Sequence, residues 1–346
     1  MLRSTWPSRL SLIALITVAG GALAAPAEAA STGVASVSGT KVKYKAAKGK
    51  QNKVVVTRSG RTITIDDKVR IEPGKGCKAV KGDKTKVRCT TRANPTRVSV
   101  YTYDRNDSVV NKTDLPMTAD GGSGKDRLVG GPRGDRLTGD TGNDWFDGGD
   151  GGDLIVGGDG NDTMYGGNGD DTIHGTDGSD RGYGGPGRDS FYLDPVITRG
   201  AANDDYVSGG TGHDAAYYAG YDKSVTIDAD GVTGDDGAKG EHDTIAADIE
   251  ELQGGNGNDR INGTNRQDFL YGGPGNDIIR GGAGNDILDG FEGRDQLYGD
   301  AGDDMLSGED FGAPAAADRL DGGSHTTPEG DYCLAYRGDV RVNCES

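Results

Sequence analysis

The sequence predicts an all-β fold: a solenoid of nine-residue repeats in two blocks, preceded by a small β-rich domain. Three observations carry this. Fourteen nine-residue units recur in strict phase, eight from Gly121 to Tyr192 and six from Gly254 to Ser307. Every unit has Asp at its sixth position, and all but one has an apolar residue two places later. The segment before them alternates short apolar and polar stretches, such as KVVVTR (53–58), RTITID (61–66) and TRVSVYTYD (96–104), with Gly and Pro between; such alternation reads as half-buried strands.

Residues 1–29 read as a secretory signal. Arg3 and Arg9 open it, Leu10 to Ala25 is mostly apolar, and Ala27-Glu28-Ala29 offers a small-residue cleavage site, with cleavage after Ala29 or, second, Ala27. The expectation is export, with no membrane span in the mature chain. Residues 30–118 form the β-rich domain, expected as a small sandwich or irregular sheet. From residue 31 it carries 20 Lys and Arg against 7 Asp and Glu. That basic balance suits a cap on an acidic solenoid or a surface for an anionic cell-wall polymer; no nucleic-acid partner is expected.

The first block, 119–192, runs GGSGKDRLV, GGPRGDRLT, GDTGNDWFD, GGDGGDLIV, GGDGNDTMY, GGNGDDTIH, GTDGSDRGY, GGPGRDSFY. Its sixth positions are Asp126, Asp135, Asp144, Asp153, Asp162, Asp171, Asp180 and Asp189. Glycines turn backbone carbonyls toward one point, and the short Asp side chain adds carboxylate oxygens. The x-apolar-x triplet after each turn suits a short strand with one inward side chain, and only stacking buries it. The apolar slot of one unit is empty at Gly182.

A spacer follows at 193–253. Residues 193–208 break the phase, GGTGHDAAY (209–217) resumes it once with Asp214, and a strand-like SVTID lies beyond. Asp236, Glu241 and Asp243 are further acidic candidates there. The second block, 254–332, contributes Asp259, Asp268, Asp277, Asp286, Asp295 and Asp304; looser units beyond Ser307 offer Asp318 and Asp331. Departures from the pattern are Arg133 and Arg266 for the fourth-position Gly, and Asp140, Thr176, Thr264, Phe291 and Asp300 for the second. Asp153, Asp162, Asp171, Asp277 and Asp286 are the leading candidates. Residues 333–346 read as a terminal cap.

The nine-residue phrase resembles the G-G-x-G-x-D-x-U-x repeat of RTX (haemolysin-type) calcium-binding proteins. The resemblance implies a parallel β-roll in which two units make one coil and each Ca2+ lies between turns 18 residues apart, about ten ions in the ideal case. The charge agrees: over 119–346 there are 47 acidic and 16 basic side chains, a net −31, which repels itself unless cations fill the turns. An EF-hand is excluded by the missing helices and bidentate Glu.

Four cysteines allow three pairings. Two local bridges, Cys77 with Cys89 and Cys333 with Cys344, are expected, and they suit an oxidising compartment; a zinc site lacks C-x-x-C and nearby His. The chain contains no H-E-x-x-H, G-x-S-x-G or P-loop motif, so a non-catalytic protein is expected. The functional expectation is calcium binding by a secreted, structural repeat protein that folds on extracellular calcium. The alternative is a surface- or wall-polymer-binding module with the roll as stalk; an enzyme or enzyme accessory comes third.

Overall fold

The computed structural model describes residues 32–193, 203–309, 316–325, 330–336 and 338–345. The expected signal segment lies outside the described residues. Among the described residues every regular element is a strand.

The repeat makes its own strand. Where a triplet follows each Asp, its middle side chain is buried and its neighbours stay in or near solvent, as in Thr172–His174 and Phe269–Tyr271. Each triplet pairs in parallel with the one 18 residues on, so Leu137 lies beside Ile155 and Phe146 beside Met164. Successive units therefore alternate between two facing walls, and the apolar slots fill the space between them. Leu128, Leu137, Phe146, Ile155, Ile279, Leu288, Leu297 and Leu306 are fully buried. Each contributes about 1.5–3 kcal/mol of burial, realised only when a neighbouring coil covers it. The empty slot at Gly182 has a packing reason: a Cβ there would sit 2.9 Å from the Phe191 ring, so the large side chain of the next unit takes that volume.

The described strands form three sheets of 15, 11 and 7 strands. The first sheet is one unbroken wall. It runs from Ile71–Pro73 and Gly33–Ser38 through both blocks to Tyr332–Leu334, crossing the spacer by Ala215–Tyr217 and Glu251–Gln253. The facing wall changes. The 11-stranded sheet ends at Thr244–Ile245, and the 7-stranded sheet starts from the antiparallel pair Val225–Asp228 and Gly237–Ala238. The two blocks thus share one wall and have separate opposite walls.

The N-terminal strands do not form a sandwich of their own. Lys41–Lys45 pairs in parallel with Arg97–Tyr101, which pairs with Met117–Ser123, and Lys53–Ser59 pairs with Ser108–Lys112. Sequence pattern predicted the strands but not their sharing of the roll's two walls. Val42, Tyr44, Val54, Val56, Val98, Val100 and Val109 continue the same buried core. Antiparallel hairpins close this end, and Cys77 is bonded to Cys89 across one of them. Lys41, Lys43 and Lys45 alternate with buried residues and share one exposed face. At the other end Cys333 occupies an inward slot and is bonded to Cys344.

The phase also resumes earlier than the sequence suggested. Tyr206–Gly212 pairs with Arg181–Gly187, so the residues from 203 onward that were assigned to the interruption belong to a coil, with Val207 buried.

Candidate metal centres

The sixth-position Asp of each unit sits where the turn enters its strand, and the 18-residue coil stacks these carboxylates in columns. Asp126 N–H donates to Asp144 Oδ1, Asp144 N–H to Asp162 Oδ1 and Asp162 N–H to Asp180 Oδ1, each at 2.7 Å. The other column runs Asp135 to Asp153 at 2.6 Å, Asp153 to Asp171 at 2.7 Å, and Asp171 to Asp189 and Asp189 to Asp214 at 2.8 Å. In block two Asp259 donates to Asp277 at 2.7 Å, Asp268 to Asp286 at 2.9 Å, and Asp277 to Asp295 and Asp286 to Asp304 at 2.8 Å. All fifteen predicted aspartates lie in these ladders, and none is more than 4% exposed.

One oxygen per carboxylate is thereby held. The other, Oδ2, is buried with no hydrogen-bond partner at Asp126, Asp144, Asp153, Asp162, Asp171, Asp180, Asp189, Asp214, Asp277, Asp286 and Asp304. A buried anionic oxygen without a donor costs several kcal/mol unless a cation or proton meets it. Burial accordingly pushes these carboxyls up, to about 8 at Asp153 and Asp180, about 7 at Asp126, Asp162, Asp277 and Asp304, and about 6 at Asp144, Asp171 and Asp286. The backbone donor to each carboxylate pulls the other way.

The first glycine of each unit shows what that oxygen faces. A Cβ on Gly281 would sit 2.5 Å from Asp286 Oδ2 and 2.7 Å from the carbonyl oxygen of Gly299, and one on Gly272 would meet Asp277 Oδ2 and sit 2.8 Å from the Gly290 carbonyl. Carboxylate and carbonyl oxygens from successive turns thus converge on a space that only glycine leaves open. An all-oxygen donor set of this kind suits a hard divalent cation. The residues that would hold Ca2+ are these aspartates and the main-chain carbonyls of the glycine turns, and the ion would supply the positive charge the orphaned oxygens lack.

The second position of the unit has a different requirement. Its φ is positive wherever the described Oδ2 is orphaned, including at the non-glycine residues Asp140 (73°), Thr176 (76°) and Asp300 (69°). These departures therefore keep the turn's shape. Three units behave otherwise. In those of Asp135, Asp259 and Asp268 the second-position N–H of Gly131, Gly255 and Thr264 turns inward and donates to Oδ2, at 2.6, 2.8 and 2.5 Å.

Sequence reasoning missed several members of the columns, Asp107 and Asp205 among them. Asp107 accepts from Asn52 N–H at 2.6 Å and donates to Asp126 at 2.7 Å; Asp205 accepts from Asp180 at 2.8 Å. The signal available was the Asp-x-apolar triplet, Asp107-Ser108-Val109 and Asp205-Tyr206-Val207. Asp318 and Asp331 extend block two, accepting from Asp295 at 2.8 Å and Asp304 at 2.9 Å. In the spacer Asp236 accepts from Asp228 and Ile245 N–H, Glu241 from Ala238 N–H, and Asp243 from Asp205 N–H and the Tyr218 hydroxyl. Asp228, Asp235 and Asp236 bring carboxylate oxygens within 4.8 Å of one another.

A family model, the RTX calcium-binding nonapeptide repeat, matches four times, at 120–155, 156–191, 253–288 and 271–306. No curated protein matches the chain.

Proposed function

We propose, because four segments match the RTX calcium-binding nonapeptide repeat, that the chain is a secreted, non-catalytic protein that folds on extracellular calcium into a structural roll. The observation that carries this is the column of buried aspartates whose second oxygens have no partner within the chain. Extracellular calcium is roughly millimolar, the range in which extracellular calcium modules commonly bind. Two disulfides and the apolar, Ala-rich opening of the sequence support export. A calorimetric titration of the metal-stripped chain tests the reading. Calcium is expected to bind in multiple equivalents, on the order of ten, while magnesium, which demands octahedral geometry and dehydrates reluctantly, binds far more weakly. Equal uptake of the two, or none, sinks it.

A second reading is favoured by the exposed row Lys41, Lys43 and Lys45: a surface that holds an anionic wall polymer, with the roll as stalk. Retention of the full chain on such a polymer at physiological salt, lost when the three lysines become Ser, is the expected result under this reading; flow-through of the wild type removes it.

A further inference from the structure

On the unbroken wall, the pattern of partnerless carboxylate oxygens is interrupted between Asp214 and Asp286. Along the unbroken wall the step from Asp214 to Asp268 is made by Glu250. Asp214 N–H donates to Glu250 Oε2 at 3.0 Å, and the Glu250 carbonyl accepts Phe269 N–H at 2.8 Å. Glu250 therefore stands in the acidic slot 18 residues before Asp268, with Leu252 buried in the apolar slot. The turn leading to it, Ile-Ala-Ala-Asp-Ile-Glu at 245–250, contains no glycine.

Facing that turn is residue 266, where the repeat has glycine and this unit has arginine. The Arg266 guanidinium reaches back across the gap. Nη1 donates to Glu250 Oε1 at 2.7 Å and Nη2 to the Ile249 carbonyl at 3.3 Å. Its targets are one carboxylate oxygen and one main-chain carbonyl of the preceding turn, the same two oxygen types that converge between other coils. On the near side of the gap, Thr264 holds Asp268 Oδ2 through its N–H at 2.5 Å and its Oγ1 at 2.9 Å. Asp268 is thus absent from the set of aspartates with an orphaned buried oxygen. The oxygens that would bind an ion here already have protein donors.

We propose that Arg266 takes the place of a metal ion at the seam, so that the gap between turns 245–250 and 263–268 is a built-in metal-free junction. The chemistry suits it. A guanidinium keeps its charge at any working pH, and its planar fork satisfies a carboxylate and a carbonyl together. The facing wall ends in a related way, with the Tyr218 hydroxyl donating to Asp243 Oδ2 at 2.9 Å. The junction would separate the ions into two arrays. The inference rests on the calcium reading of the repeats.

The test is calcium stoichiometry by calorimetry on the full chain, in wild type and three variants. Glu250→Gln is expected to keep the wild-type number; loss of one ion would mean that Glu250 is a ligand and would overturn the proposal. The double variant Glu250→Asp, Arg266→Gly restores the repeat's own residues at both positions and is expected to gain one ion; no gain also overturns it. Arg133→Gly changes the other fourth-position arginine, which is exposed. It is expected to leave the number unchanged, and a gain there would remove any special role for Arg266. Glu250→Gln perturbs a half-buried pair without altering backbone or volume, so it reports even if the double variant fails to fold. A wild type that takes up no calcium is a separate result and refutes the calcium reading itself.

Discussion

In excess chelator at pH 8, amide protection is expected to vanish across residues 124–193 and 254–309 and to persist in the strands Lys53–Ser59, Thr62–Asp66 and Asp83–Thr90. The first regions depend on columns of buried carboxylates that lack internal cations. The second share Val54, Val56, Ile63, Ile65 and Val87 as a fully buried core, beside the Cys77–Cys89 bridge. A ligand that binds only the folded state adds about 2.7 kcal/mol per site at a hundredfold excess over its dissociation constant, so many sites lost together outweigh the few apolar contacts each coil makes. The pH dependence has a definite sign. Burial raises the folded, metal-free carboxyls from 3.8 to between about 6 and about 8, so the folded chain binds more protons than the unfolded one in this window. Stability from those groups is complete below the unfolded value and is lost as pH rises through the folded values. Protection in chelator is therefore expected to return progressively as pH falls from 8 toward 4. With calcium the trend reverses, because protonation competes with the ion. Hydrogen exchange followed by mass spectrometry reads both trends, and full protection in chelator at pH 8 would refute the account.

Asp162→Ala is expected to raise the calcium concentration needed for folding and to destabilise the calcium-loaded chain by about 3–5 kcal/mol. The change removes the acceptor of Asp144 N–H at 2.7 Å and an orphaned oxygen at once. A stranded buried donor costs about 1–3 kcal/mol, and the remainder is the weakened ion. The loss should spread to Asp144 and Asp180, which border it in the same column. Lys45→Ala, on the exposed face of Lys41–Lys45, should leave both quantities unchanged. Denaturant melts at fixed calcium measure the difference, and equal stability of the two variants would refute the site assignment.

What could be read from the sequence was whatever depends on the strict period. Asp162, Met164 and their equivalents announce ladder and core because every ninth residue returns to the same environment. Asp107 was hidden because its turn, Thr-Tyr-Asp-Arg-Asn-Asp, has no glycine, yet Tyr103 takes the positive φ (74°) that glycine takes elsewhere. Asp205 was hidden by spacing, since 25 residues separate it from Asp180 instead of 18. The unbroken wall was invisible because Glu250 replaces Asp in a glycine-free turn, and only strand pairing reveals its slot. The inward-turned amides of Gly131 and Gly255 could not be foreseen either. Both residues obey the motif, and glycine permits either backbone conformation.

The closed ends of the stack have a consequence beyond local stability. A parallel solenoid that stopped on bare strands would offer each terminus as a template for another copy, the geometry of filament growth. Here Pro73 ends the outermost N-terminal strand of the long wall, and at the other terminus a single parallel bridge from Glu345 to Tyr332 is tethered by the Cys333–Cys344 bond. These features are expected to disfavour end-to-end stacking of copies along the long wall.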